Sequence, residues 1–73
     1  MITAAQSRAA RGLLAWTQEE LARRSSVGLN TIRKFEGGKT NPRNSTLLVL
    51  QATFEKEGVH FTDEGSGGVW LRG

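Results

Sequence analysis

Residues 17–40 read TQEELARRSSVGLNTIRKFEGGKT, and the signals punctuating that run decide the fold. Thr17 stands three positions before Glu20, the spacing of a capping box at a helix N-terminus. Trp16 just before the cap and Leu21 at the fourth helical position have the spacing of a hydrophobic staple. Glu19 and Glu20 suit the positive end of a helix dipole. A short helix is therefore expected from 17 to about 24. Ser25-Ser26-Val27-Gly28 reads as a turn. A second short helix is expected over 29 to about 36, with Ile32 and Phe35 facing in and Asn30, Arg33 and Lys34 facing out. Gly37-Gly38 ends it, since glycine takes the left-handed conformation cheaply.

The run closes on Gly38-Lys39-Thr40, the last three positions of a nucleotide-binding phosphate loop. That loop requires a glycine five positions before Gly38, where this chain has Arg33, and a strand feeding it, which is absent from the pattern. The nucleotide reading fails on both counts.

Two short helices joined by a four-residue turn, with apolar residues at fixed offsets, form a helix-turn-helix. The segment TQEELARRSSVGLNTIRKFEGGKTNP resembles the lambda-repressor-like, Cro/Xre family of DNA-binding domains. The resemblance covers residues 3–57 and is closest over 16–43. Leu21, Ala22, Val27, Ile32 and Phe35 match the positions that hold the two helices together. Ala22 has a physical reason, because a larger side chain at the helix crossing would push the second helix out. Two positions depart from the pattern. Ser25 and Ser26 stand where the family usually has alanine and glycine, and the turn residue there often has positive φ. A serine in that conformation costs about 1 kcal/mol, which predicts a distorted turn. Gly28 replaces the usual Ser/Thr cap.

The resemblance implies a mainly α, compact lambda-repressor-like domain of four helices, or five, whose helix 29–36 lies in the major groove. It implies that Leu29, Asn30, Arg33 and Lys34 form the base-reading face. Asn30 is the best candidate, since an amide pairs bidentately with adenine. Leu29 suits a thymine methyl, Lys34 a guanine or a phosphate, and Arg33 chiefly a phosphate. Gln18 matches a residue that grips the DNA backbone at a helix N-terminus. Lys39, Thr40, Asn41 and Arg43 match a phosphate-contacting loop, so the lysine of GGKT is expected to meet DNA. Arg11 and Glu36 match a pair that bridges the first and third helices.

Outward from this centre the pattern is plainer. Residues 3–14 are strong helix formers, with Ala5, Ala9, Leu13 and Leu14 as the expected apolar face and Arg8 and Arg11 one turn apart. After Pro42, Asn44 or Ser45 is expected to cap a further helix to about 56 that buries Leu47, Leu50 and Phe54. Leu48 and Val49 are apolar residues this stripe does not use. Past Gly58, residues 59–62 alternate like a strand, 63–68 are turn material and 69–71 suit a second strand. The expected organisation is a helix-turn-helix domain over 1–57 and a C-terminal hairpin over 58–73. The hairpin is a candidate dimerisation element, because a lone two-stranded hairpin is marginal. Leu48, Val49, Val59, Phe61, Val69 and Trp70 are the apolar candidates for an exposed dimer surface.

Charge follows the same division. Residues 1–54 carry eight Lys/Arg against three acids, a net +5, whereas residues 55–73 carry two against four, a net −2. A basic body that meets a polyanion fits this better than an ordinary surface. With no cysteine and one histidine, His60, neither a disulfide framework nor a metal site is expected. No Ser-His-Asp set can be assembled, and the adjacent Glu19 and Glu20 point apart, so no enzyme and no cofactor are expected. Trp16 and Trp70 read as packing residues. No run has signal-peptide or membrane-span length, which predicts a cytoplasmic protein, bacterial or phage-type by the resemblance.

Two functions remain open at this point. One is a sequence-specific regulator, a small homodimeric repressor acting on an inverted-repeat operator of double-stranded DNA. The other is a protein-interaction module, an antitoxin or anti-activator that keeps the fold and engages a regulatory protein partner.

Overall fold

The computed structural model describes residues 1–62 and 68–72. Four helices, α1 (Ala4–Leu14), α2 (Gln18–Ser25), α3 (Leu29–Glu36) and α4 (Asn44–Lys56), precede two short strands, β1 (Val59–Phe61) and β2 (Val69–Leu71). The strands pair antiparallel with Val59 opposite Leu71, His60 opposite Trp70 and Phe61 opposite Val69. The expected turn between them falls at 63–67, outside the described residues. Its base is described: Gly68 and Thr62 close the pair through Thr62 N–H to Gly68 C=O at 2.9 Å.

One core serves all six elements. Leu21, Ile32, Leu50, Phe54 and Val59 are fully buried, joined by Ala10, Ile2 and Phe35. Ala22, Val27, Leu47 and Leu14 pack on this cluster from its edge. Phe54 is its aromatic centre, stacked on Trp16 with ring centroids 5.8 Å apart and meeting Phe61 edge-on at 6.0 Å. The expected stripe of α4 therefore holds, and Leu48 and Val49 stay exposed.

The exposed face of α1 was expected elsewhere. Ala5, Ala9 and Leu13 are exposed, and only Leu14 of the expected face is half-buried. The buried residues are Gln6, Ser7 and Ala10. An alanine methyl carries roughly 0.8 kcal/mol of burial, too little to orient a helix against satisfied hydrogen bonds. Gln6 supplies those bonds to the hairpin, donating through Nε2 to Thr62 C=O at 3.1 Å. It also completes a capping box with Thr3, accepting the Thr3 N–H at 2.9 Å while the Thr3 hydroxyl accepts the Gln6 N–H at 3.1 Å.

The box expected at α2 is only half formed. Thr17 Oγ1 accepts the Glu20 N–H at 3.0 Å, but the Glu20 carboxylate turns to Arg23 and Arg24. At α4 neither Asn44 nor Ser45 is the cap. Arg43 holds that position with no side-chain cap bond, and Asn44 begins the helix. Among the described residues, two that are not glycine take left-handed backbone, Ala15 at φ 57° and Ser26 at φ 60°. The α2–α3 turn is not distorted by its serines. Ser26 keeps its N–H bonded to Ala22 C=O, and the Ser25 hydroxyl accepts the Val27 N–H at 3.1 Å.

Candidate nucleic-acid interface

The second helix of the pair, α3, is anchored from beneath by its last residue. Glu36 is buried, with a side chain 2% exposed, and Arg11 of α1 reaches it with Nη2 at 2.6 Å from Oε1. Arg11 Nε lies 3.0 Å from both carboxylate oxygens, and its Nη1 donates to Trp16 C=O at 3.1 Å. Ser7 Oγ donates to Glu36 Oε2 at 2.5 Å, and Gln18 Nε2 to Oε1 at 3.1 Å. Arg8 adds a bond to the Glu36 backbone carbonyl. Burial pushes the Glu36 carboxyl up, but the bonds from Arg11, Ser7 and Gln18 outweigh it and hold the group below its ordinary value. The expected Arg11–Glu36 pair is thus present, as the centre of a network that ties α1, α2 and α3 together.

Sequence reasoning did not find Ser7 or Gln6. A serine in an alanine-rich helix gives no signal of burial until the acid it serves is placed in space.

The outer face of α3 is open. Asn30, Thr31, Arg33 and Lys34 are exposed, while Leu29 is half-buried at the first turn. Asn30, Arg33 and Lys34 share one side, at helical spacings of three and four. Thr31, between them in sequence, was absent from the expected reading face. The helix then stops sharply. Gly38, at φ 72°, bonds its N–H to Phe35 C=O at 3.0 Å, and Lys39 N–H reaches Lys34 C=O at 2.9 Å. This is the double bond pattern of a glycine-closed helix end, and the left-handed residue is Gly38 rather than Gly37. It turns the chain so that Lys39, Thr40, Asn41 and Arg43 follow α3 as an exposed loop.

Pairing sorts the positive charges. Arg11 is committed to Glu36, and Arg23 and Arg24 to Glu20. Arg24 also lies over the Trp16 ring at 4.6 Å. Arg33 sits 3.7 Å from Glu19. Among the described residues, Lys34, Lys39, Arg43, Lys56 and Arg72 have no hydrogen-bond or ion-pair partner for their side chains; the first three lie on α3 or the loop after it, Lys56 at the end of α4 and Arg72 after β2. Gln18 is half-buried at the start of α2 and gives one amide N–H to Glu36, which leaves the second for a ligand.

A family model described as helix-turn-helix, of the Cro/C1 type, matches residues 8–59. The chain belongs to this family. The match spans α2, the turn and α3 together with most of α1, all of α4 and the first residue of β1. The fold is accordingly lambda-repressor-like, and the family is one of DNA-binding domains. No curated protein matches the chain.

The apolar dimer candidates are dispersed by the fold. Leu48, Val49 and Trp70 are exposed, and so is Leu71, which was not singled out. Val59 is not a surface residue; it is fully buried, because the first strand of the hairpin closes the core. Phe61 and Val69 are half-buried against the same cluster. Trp70 is not a core residue either. It stands on the outer hairpin face, 49% exposed and stacked on His60 at 5.4 Å. Among the described residues no helix is long and apolar enough to cross a membrane.

Proposed function

We propose that this helix-turn-helix protein is a sequence-specific transcription regulator, a small homodimeric repressor that reads an inverted-repeat operator through α3 in the major groove. The observation that carries the reading is the sorting of charge. Of the five cations without a partner among the described residues, Lys34, Lys39 and Arg43 gather on α3 and its following loop, with Lys56 and Arg72 apart from them, while Arg11, Arg23 and Arg24 are engaged by acids within the fold. Phosphate contacts give most of the affinity and base-edge contacts the specificity.

In this reading Asn30 pairs with an adenine, and Leu29 and Lys34 contact neighbouring base edges. Lys39, Thr40, Asn41 and Arg43 hold the backbone on one side of the groove. Gln18 holds it on the other with its remaining amide hydrogen. Glu36 fixes both Gln18 and the end of α3, so backbone grip and base reading share one anchor. Occlusion of polymerase is the simplest way for a DNA-bound helix-turn-helix domain to repress, and the site of action is the cytoplasm, on the nucleoid.

A second reading draws on a different surface. An open groove of about 380 Å³ lies between α2 and α4, with Trp16, Val49 and Ala52 among its lining and Arg24, Lys56 and Glu57 at its charged side. That groove suits a protein-interaction module of the antitoxin or anti-activator kind.

Fluorescence anisotropy on the gene's own upstream DNA and on a scrambled duplex separates the two. A preference of about a thousandfold or more at physiological salt is expected for the regulator. Equal, weak binding that salt abolishes would leave the protein-interaction reading.

A further inference from the structure

We infer that Glu19 acts as a brake on phosphate binding through Arg33, and so lowers the affinity of the protein for DNA of any sequence. The inference rests on the proposed DNA-binding reading and adds a residue to it. Arg33 projects from the same side of α3 as Asn30 and Lys34, and its Nη2 lies 3.7 Å from the Glu19 carboxylate on the first turn of α2. The side chains are 52% and 65% exposed.

An ion pair this wet contributes little to stability, so the fold does not need it. Nor is Glu19 the only acid at the dipole of α2, because Glu20 shares that first turn. The consequence of the pair is instead electrostatic. A phosphate that approaches Arg33 must displace a carboxylate and then sit beside it. Three unpartnered cations remain on α3 and the loop, where four would otherwise stand. Phosphate contacts are blind to sequence, so removing one weakens binding to every duplex. The base-edge contacts of Asn30 are untouched, so both affinities fall together and the ratio between operator and random DNA is unchanged.

The test uses the full chain as wild type, Glu19→Gln, Arg33→Gln and the double variant. A short duplex of arbitrary mixed sequence is titrated from about 50 to about 200 mM salt. Glu19→Gln is expected to tighten binding by about three- to tenfold, from the loss of one nearby like charge. It should also steepen the salt dependence by about 0.9 in slope. The gain should vanish in the Arg33→Gln background. A gain that persists there, or that Glu55→Gln on α4 matches, means net charge alone acts and overturns the inference.

Immobilised heparin, a polyanion without base edges, separates this failure from that of the DNA reading. Coupling of the two substitutions on heparin, with no duplex bound by the wild type, keeps the brake and sinks the DNA reading. Additivity on both probes sinks the brake and leaves the DNA reading standing.

Discussion

At Ser26 and Ala15 the backbone adopts a conformation that costs an L-residue roughly 1–2 kcal/mol. Glycine removes that cost but loosens the unfolded chain by about 0.4–1 kcal/mol. Ser26→Gly and Ala15→Gly are each expected to stabilise the protein by about 0.5–1 kcal/mol, read as a higher midpoint in urea. Glu36 works in the opposite sense. Its folded pKa lies below the unfolded value near 4.5. Its contribution is therefore complete above about pH 4.5, and is lost as pH falls through the lowered folded value. Glu36→Gln leaves Arg11 without its counter-charge and should cost about 3 kcal/mol near neutrality. Thermal midpoints from pH 3 to 7 check this. The wild type should lose stability on acidification, and the gap to Glu36→Gln should narrow; a constant gap would place the acid sensitivity elsewhere. Glu20, lowered by its bonds to Arg23 and Arg24, adds to the same slope from the surface.

At the scale of elements, what was legible in the sequence was what local chemistry dictates. Thr17 and the double glycine set the limits of α2 and α3, and Leu47, Leu50 and Phe54 recur with the helical period that α4 buries. The orientation of α1 was not legible, because its decisive side chains are polar. Gln6 is read as surface until Thr62 and Gly68 are brought to it by the hairpin, a separation of more than fifty residues. The site had the same split. Exposure of Asn30, Arg33 and Lys34 follows from helix period alone. The pairing of Arg33 with Glu19 crosses two helices and depends on how they pack. The hairpin is also more deeply involved than its composition implied, since Val59 is fully buried beside Phe54. Truncation after residue 57 should therefore unfold the helices as well. Val59→Ala is expected to cost about 1–3 kcal/mol, whereas Trp70→Ala, on the outer face, should cost under about 1 kcal/mol. Equal losses in chemical denaturation would mean that the outer face is packed as tightly as the inner one.

The whole molecule measures 30 × 25 × 19 Å, a little less in its longest extent than the roughly 34 Å between successive turns of one face of DNA. Two copies reading half-sites one turn apart would stand side by side and touch along their flanks. A standard interface takes about 800 Å² from each partner, against a total surface here of 4544 Å². So large a share needs an apolar centre. The hairpin retains only Trp70 and Leu71 for that purpose, and Trp70 is already stacked on His60. Helix α4 offers Leu48, Val49 and the exposed Ala52, beside the groove floored by Trp16. The subunit contact is therefore expected on α4. Leu48→Asp should turn a sedimenting dimer into a monomer and weaken operator binding, while half-site binding through Asn30 survives. Trp70→Ala should leave the dimer intact. The reverse pattern would assign the contact to the hairpin. A wild type that sediments as a monomer even when bound to a full operator would remove the two-fold reading, and each α3 would then act on its half-site alone.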